Sequence, residues 1–200
     1  MKVEAFIFDI GNVLVTFDEK RIQAALVSRG ADAGTLLSVR ELAAPYERGE
    51  ISRECFLGRL RDLLSPEAAP EEVARIWQEI FEPNPPMWDL VEKLHGAYPL
   101  YLLSNTNCLH HEYLEREYAV FQKFADGVFS YRAKMMKPER GIFELAIRQF
   151  GVCPEATIYL DDLTANVEAA RAAGLRAFLY RPDAHADCLA VLRAQGVQCV

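Results

Sequence analysis

Three short apolar runs each stop on a polar or acidic residue, and this pattern constrains the fold more than any other feature of the chain. They read "VEAFIFDI" (3–10), "YPLYLLSNT" (98–106) and "ATIYLDD" (156–162). A run rich in Val, Ile, Leu and aromatic residues, with no polar alternation, has the pattern of a strand buried on both faces. Such strands need helices above and below them. The segments between supply helical patterns: "MWDLVEKLHG", "PERGIFELAIRQFGV" with Pro138 in its first turn, and "TANVEAARAAGL" closed by Gly174. "FADGVFSY" and "RAFLY" add two further strand candidates. Alternation of this kind predicts an α/β fold, a doubly wound, Rossmann-like parallel sheet.

Between the first strand and the rest, the character changes. From about Glu19 to Glu82 the chain reads as helices, with no strand signal among them: "EKRIQAALVSRG" ending on Gly30, "ISRECFLGRLRDLL" with Ser52 as N-cap, and "PEEVARIWQEIFE" opened by Pro70. "EPNPPMW" then breaks the pattern and reads as a stiff hinge, one strand of the connection between two parts. The expected organisation is a core made of 1–17 and 83–200, with residues 18–82 inserted as an α-helical cap.

At 200 residues, 51% of them hydrophobic, the chain can bury a substantial core. Its net charge of −7 and the absence of a Lys/Arg-rich run argue against nucleic acid as a partner. A small anionic ligand stays compatible, because one local lysine or cation can invert the field. No apolar run is long enough to span a membrane, and nothing after residues 5–8 reads as a leader cleavage site. Five scattered cysteines without a C-x-x-C pair read as reduced thiols, so the expected location is cytoplasmic.

In open parallel sheets, ligands bind outside the carboxyl ends of the strands. Here those ends carry Asp9, then Ser104 and Asn105, then Asp161 and Asp162, while Lys137 precedes Pro138 and is biased to an extended conformation. Each alone has a plain structural explanation as a turn, a helix cap or a solvated lysine. Converging on one rim, they form a set suited to phosphate and a metal. Carboxylate oxygens suit Mg²⁺, lysine balances phosphoryl charge, a hydroxyl and an amide hydrogen-bond it, and a free carboxylate can attack phosphorus.

At this point the residues resemble a known family. "FDIGNVL", "LLSNTN", "MKPE" and "YLDDLTANVEAARAAGL" are similar to the four motifs of the haloacid dehalogenase (HAD) superfamily. "YERGEISRECF" resembles the helical cap of the branch that includes α-D-glucose-1-phosphate phosphatases and the N-terminal phosphatase of soluble epoxide hydrolase. The resemblance implies a Mg²⁺-dependent phosphatase acting on a small phosphorylated metabolite, such as a sugar phosphate. Asp9 would be the nucleophile, Ser104 and Asn105 would hold phosphoryl oxygens, and Lys137 would balance charge. Asp162, the Asp9 carboxylate and the Gly11 carbonyl would hold the metal. Asp161 would orient water from behind it, and Asn166 would brace the site.

One position departs from the pattern. Most phosphatases of this superfamily carry Asp two residues beyond the nucleophile as acid and base, and here that position is Gly11. Three readings stay open: another group such as metal-held water, Glu47 or Glu50 substitutes; the leaving group needs little protonation, as a sugar anomeric oxygen would; or the protein is a weakened phosphate binder. Haloacid dehalogenation is an alternative, opposed by the Asp161-Asp162 pair, and a non-enzymatic interaction protein is another. A two-component receiver would place its acidic pair early in the chain, the reverse of the order here. Outside this set, His110 and His111 are poor joint ligands because neighbours on a helix diverge, and a loop or cleft-edge role is expected. Trp77 and Trp88 fit core or hinge packing.

Overall fold

The computed structural model describes residues 2–17, 33–64 and 67–199. The expected helix over 19–30 lies outside the described residues. Strands β1 (Ala5–Phe8), β4 (Leu100–Ser104), β5 (Asp126–Phe129), β6 (Thr157–Asp161) and β7 (Arg176–Leu179) form one sheet in the order β5-β4-β1-β6-β7. Every pairing in it is parallel, with Phe8 in register with Leu102 on one side and Leu160 on the other. The winding reverses at β1, so the crevice where a ligand is expected lies at the end of that central strand.

Side chains alternate across the sheet as the strand period requires. Phe6, Phe8, Leu102 and Leu160 enter one core with helices α4 (Pro85–Leu94), α5 (Cys108–Glu117) and α9 (His185–Ala194), through Leu90, Leu114 and Leu192. Ile7, Leu103 and Tyr159 enter the other, with Phe143 of α7 (Arg140–Phe150) and Val167 of α8 (Thr164–Ala172). Each such side chain contributes about 1.5–3 kcal/mol by leaving water, so the sheet is rigid where it presents its polar ends. The short helix α6 (Ser130–Ala133) follows β5 directly. No helix among the described residues is long and apolar enough to cross a membrane.

Helices α1 (Ala33–Glu47), α2 (Arg53–Leu64) and α3 (Pro70–Gln78) bury a third cluster of their own, with Val39, Phe56, Leu60, Val73 and Trp77 at its centre. Leu109 of α5 joins it from the sheet side. Ser52 caps α2, its Oγ accepting from the Cys55 N–H at 3.2 Å. Pro70 opens α3, with Glu71 and Glu72 in its first turn, where negative charge meets the positive end of the helix dipole. Pro45 lies inside α1, which is why that helix is hard to read from sequence.

Two boundaries differ from the expectation. The helix opened by Pro70 stops at Gln78, and Phe81–Pro83 forms strand β3, antiparallel to β2 (Val15–Phe17). Tertiary contacts decide this. Asn84 Nδ2 donates to the Val13 carbonyl at 2.6 Å, and Trp88 Nε1 donates to the Leu14 carbonyl at 2.7 Å, which pins the proline-rich stretch alongside β2. Likewise Pro138 lies before α7 rather than in its first turn. Glu139 N–H closes a turn onto the Met136 carbonyl at 2.8 Å, and the Lys137–Pro138 bond is cis. Gly174 does close α8, with its φ at +96°.

Candidate active site

Asp9 stands one residue beyond β1, its N–H still donating to the Leu160 carbonyl at 2.9 Å. Its Oδ1 accepts from the Ile10 N–H and from Lys137 Nζ, both at 2.7 Å. The chain then folds tightly over Ile10, whose carbonyl accepts from the N–H groups of Val13, Leu14 and Val15. Asn12 adopts a left-handed conformation there, which Asn tolerates better than most residues. That turn aims its amide across the rim, where Nδ2 donates to Asp162 Oδ2 at 2.9 Å.

Lys137 is buried, and its Nζ lies 2.7 Å from Asp9 Oδ1 and 2.7 Å from Asp161 Oδ2. The Asn105 side chain holds the backbone beneath it: Lys137 N–H donates to Asn105 Oδ1 at 2.8 Å, and Asn105 Nδ2 donates to the Lys137 carbonyl at 2.9 Å. The side-chain amide expected on phosphoryl oxygens is here bonded to the Lys137 backbone instead. Asp161 is fully buried and both its oxygens are occupied by protein donors: Lys137, the Tyr159 hydroxyl, Asn166 Nδ2 and the Leu163 N–H. It therefore orients Lys137, and Asn166 braces Asp161 in turn. Ser104 is buried at the end of β4, and its Oγ lies a long 3.4 Å from the neighbouring Asn105 carbonyl.

The electrostatics follow from this burial. Desolvation pushes Asp9 up to about 6 despite the pull of Lys137. Burial also works against charge on Lys137 and Asp161, but opposite charges win: Asp9 and then Asp161 hold the lysine above its ordinary value, and Lys137 holds Asp161 below its own. Burial raises Asp162, and its hydrogen bond from Asn12 offsets only part of that. Carboxylate oxygens of Asp9, Asp161 and Asp162 lie within 4.8 Å of one another, an excess of negative charge over one ammonium. With Asp161 taken by protein donors, Asp9 and Asp162 remain as the hard oxygen ligands that a divalent cation of the Mg²⁺ type requires. The donor set fits such an ion.

These groups open onto a cavity of about 620 Å³. Much of its wall is apolar, built by Phe17, Leu37, Val39, Ile80, Phe81 and Leu114, while Arg40 and Glu47 line it from α1. His110, expected at a loop or cleft edge, is instead buried on α5 and forms part of this wall. Its ring stacks on Trp77 at 4.8 Å, its Nε2–H donates to the Trp77 carbonyl at 2.8 Å, and its Nδ1 accepts from Asn107 Nδ2 at 3.1 Å. His111 is buried too, its ring 3.8 Å from that of Phe129. His110 thus ties α3 to α5, a role for which the sequence holds only a weak sign, the Asn107 cap three residues ahead.

Burial lowers His110 to about 4, so it is neutral in the folded chain and protonates more readily when unfolded. The unfolded state therefore takes up the extra proton between about pH 6.5 and 4, and stability falls on acidification through that window. Relative to a His110→Gln variant, the protein is expected to lose about 2 kcal/mol between neutrality and about pH 5. Urea unfolding of both proteins at the two pH values measures this. A pH-independent difference would show that His110 is not held neutral.

A doubly wound parallel sheet with carboxylates, a hydroxyl and a lysine gathered at its carboxyl edge defines the class, a Rossmann-like core with a charged ligand crevice at its switch point. The model of the haloacid dehalogenase-like hydrolases matches residues 3–174, and the chain belongs to that family. A D-ribitol-5-phosphate phosphatase of Bacteroides thetaiotaomicron is 29% identical over 92% of this chain and 94% of its own. A sesquiterpene phosphatase of Aspergillus oryzae is 27% identical over 96% and 97%. Among solved structures, an enzyme of this family from Bacteroides thetaiotaomicron in complex with magnesium and inorganic phosphate superposes with a TM-score of 0.81. It is 24% identical and covers 90% of this chain and 95% of its own.

Proposed function

We propose that this hydrolase is a Mg²⁺-dependent phosphatase that cleaves a small phosphorylated metabolite, a sugar phosphate foremost, through an aspartyl-phosphate on Asp9. The observation that carries the reading is the buried ammonium of Lys137 held 2.7 Å from both Asp9 and Asp161. That pairing keeps a carboxylate charged and fixed at the end of β1, as a nucleophile must be. Asp9 Oδ1 is occupied by Lys137 and the Ile10 N–H, which leaves Oδ2 for attack. The Ser104 hydroxyl donates to a phosphoryl oxygen, and Lys137 offsets its charge. Asn105, Asp161 and Asn166 hold Lys137 and its partner in register, so they are positioning residues.

Asp9, Asp162 and the Gly11 carbonyl would hold Mg²⁺, which supplies neutralisation of phosphoryl charge when bound. The described helices of the inserted segment, α1, α2 and α3, form a cap over the cavity, with the β2–β3 ribbon as its connection to the core. Much of the cavity wall is apolar, which favours a second reading of the substrate body, a hydrocarbon such as a prenyl chain. The relatives act on both kinds, as D-ribitol-5-phosphate and sesquiterpene phosphatases.

The test is phosphate release over a panel of sugar, polyol, nucleoside and prenyl monophosphates, with and without EDTA. Turnover of at least one class, lost in EDTA and restored by Mg²⁺, is the expected outcome. Halide release from 2-haloacids that survives EDTA would replace this reading with dehalogenation. A chain that binds phosphate yet turns over nothing would be an interaction protein.

A further inference from the structure

We propose that Glu47 is the proton donor to the departing oxygen, and the acceptor of water's proton in the second half of the reaction. The inference rests on the phosphatase reading. An alkoxide is a poor leaving group, so cleavage of an alkyl phosphate needs an acid within reach of its ester oxygen. Among the described residues, the cavity wall carries the carboxyls of Asp9, Asp162 and Glu47, the imidazole of His110, the guanidinium of Arg40, which does not give up a proton, and the ammonium of Lys137, which is held by Asp9 and Asp161. Asp9 is the nucleophile, and Asp162 is engaged by Asn12 and the cation site. His110 has both ring nitrogens committed, to Trp77 and Asn107. Glu47 is what remains, and no side-chain partner for it occurs among the described residues.

Its position is fixed by the backbone. The Ser130 Oγ donates to the Glu47 carbonyl at 2.6 Å, and the same oxygen accepts from the Thr106 N–H at 2.9 Å. Glu47 is therefore tied through one hydroxyl to the loop that follows Ser104. Two more contacts clamp this end of α1 to the core: Arg48 Nη1 to Glu139 Oε1 at 2.7 Å, and Lys134 Nζ to the Gly49 carbonyl. Gly49 is required there, since its φ is +69° and a Cβ would meet the Tyr131 carbonyl oxygen at 2.1 Å. Glu50, the other acid of the segment, is 58% exposed and lies 3.5 Å from Arg48, outside the cavity. Burial raises Glu47 to about 7, so it can hold a proton near neutrality and give it up again.

The chemistry balances without a further reactant. Asp9 Oδ2 forms a bond to phosphorus as the ester P–O bond breaks. The electron pair goes to the ester oxygen, which takes the Glu47 proton and leaves as an alcohol. Water then bonds to phosphorus and passes a proton to the Glu47 carboxylate. The P–Oδ2 bond breaks, its electron pair returns to Asp9, and inorganic phosphate leaves.

Glu47→Gln keeps the shape and removes the acid. It is expected to lower kcat/KM about 10²- to 10³-fold for a phosphate ester of an ordinary alcohol. For p-nitrophenyl phosphate, whose leaving group needs no proton, kcat/KM should change less than about fivefold. A merely structural role would depress both alike. Adding Gly11→Asp to Glu47→Gln should recover at least about tenfold on the alcohol ester, by placing a carboxyl on the other side of the cavity. Gly11 has room for it, because a Cβ there meets the Phe17 ring at 3.0 Å and that ring is 41% exposed and can swing away. Equal losses on both substrates, or none on either, would overturn the role of Glu47 while leaving the phosphatase standing. No phosphate release by the unaltered protein from either substrate would overturn both.

Discussion

Replacing Asp9 with Asn is expected to cut phosphate release from every substrate by at least about 10⁴-fold while the protein stays folded. Asn matches Asp in shape, keeps the backbone of the β1 end and can still accept from the Ile10 N–H that Asp9 Oδ1 now engages. It offers no charged oxygen to phosphorus. Lys137 retains its second partner, Asp161, so no buried ammonium is stranded. Stability should therefore move by no more than about 1 kcal/mol. Three measurements together check this: phosphate release, thermal unfolding, and intact-protein mass after brief exposure to substrate. A phosphoryl adduct should accumulate transiently on the unaltered chain and be absent from Asp9→Asn. Full turnover by Asp9→Asn would remove the nucleophile from the mechanism, and an unchanged biological role without turnover would favour an interaction protein.

Lys137→Met is expected to damage both chemistry and folding. Its ammonium faces Asp9 and Asp161 in a site where the lysine side chain is 1% exposed and that of Asp161 0%. Removing one member of a buried ion pair leaves uncompensated charge and costs about 3–5 kcal/mol. Activity should fall at least about 10³-fold, since the same ammonium balances the phosphoryl oxygens as charge develops. Urea unfolding measures the first effect and phosphate release the second. Adding Asp161→Asn to Lys137→Met should restore at least about 1 kcal/mol of stability, because one stranded charge is gone, without restoring turnover. If Lys137→Met were as stable as the parent, the ammonium would not be holding the two carboxylates together.

Much of the site was legible in the sequence because strand ends are written locally. Asp9, Ser104 and Asp161 each follow a run of buried apolar residues, and parallel pairing brings the ends of such runs together whatever lies between. Other features depend on contacts between distant residues and left little trace. The Asn105 amide reads as an anion ligand until Lys137 is seen to occupy it, 32 residues on. His110 reads as a polar residue at a cleft edge until the Trp77 ring is found stacked on it. Strand β3 reads as the tail of a helix, since only its pairing with β2 and the grip of Asn84 on Val13 draw it straight.

The sequence by itself determined the parallel sheet, the helical segment set between its first two strands, and the set of acids, hydroxyl and lysine on one rim. Hydrophobic period and the geometry of strand ends are properties of neighbouring residues, and they survive without coordinates. Only the tertiary structure decided what each polar group does, because a carboxylate's role depends on which donors already hold it. Asp161 is saturated and orients Lys137, Asp9 keeps one oxygen clear, and Glu47 faces the cavity while Glu50, three residues along, turns to solvent. Three-dimensional burial separates those last two acids, and no spacing in the chain records it.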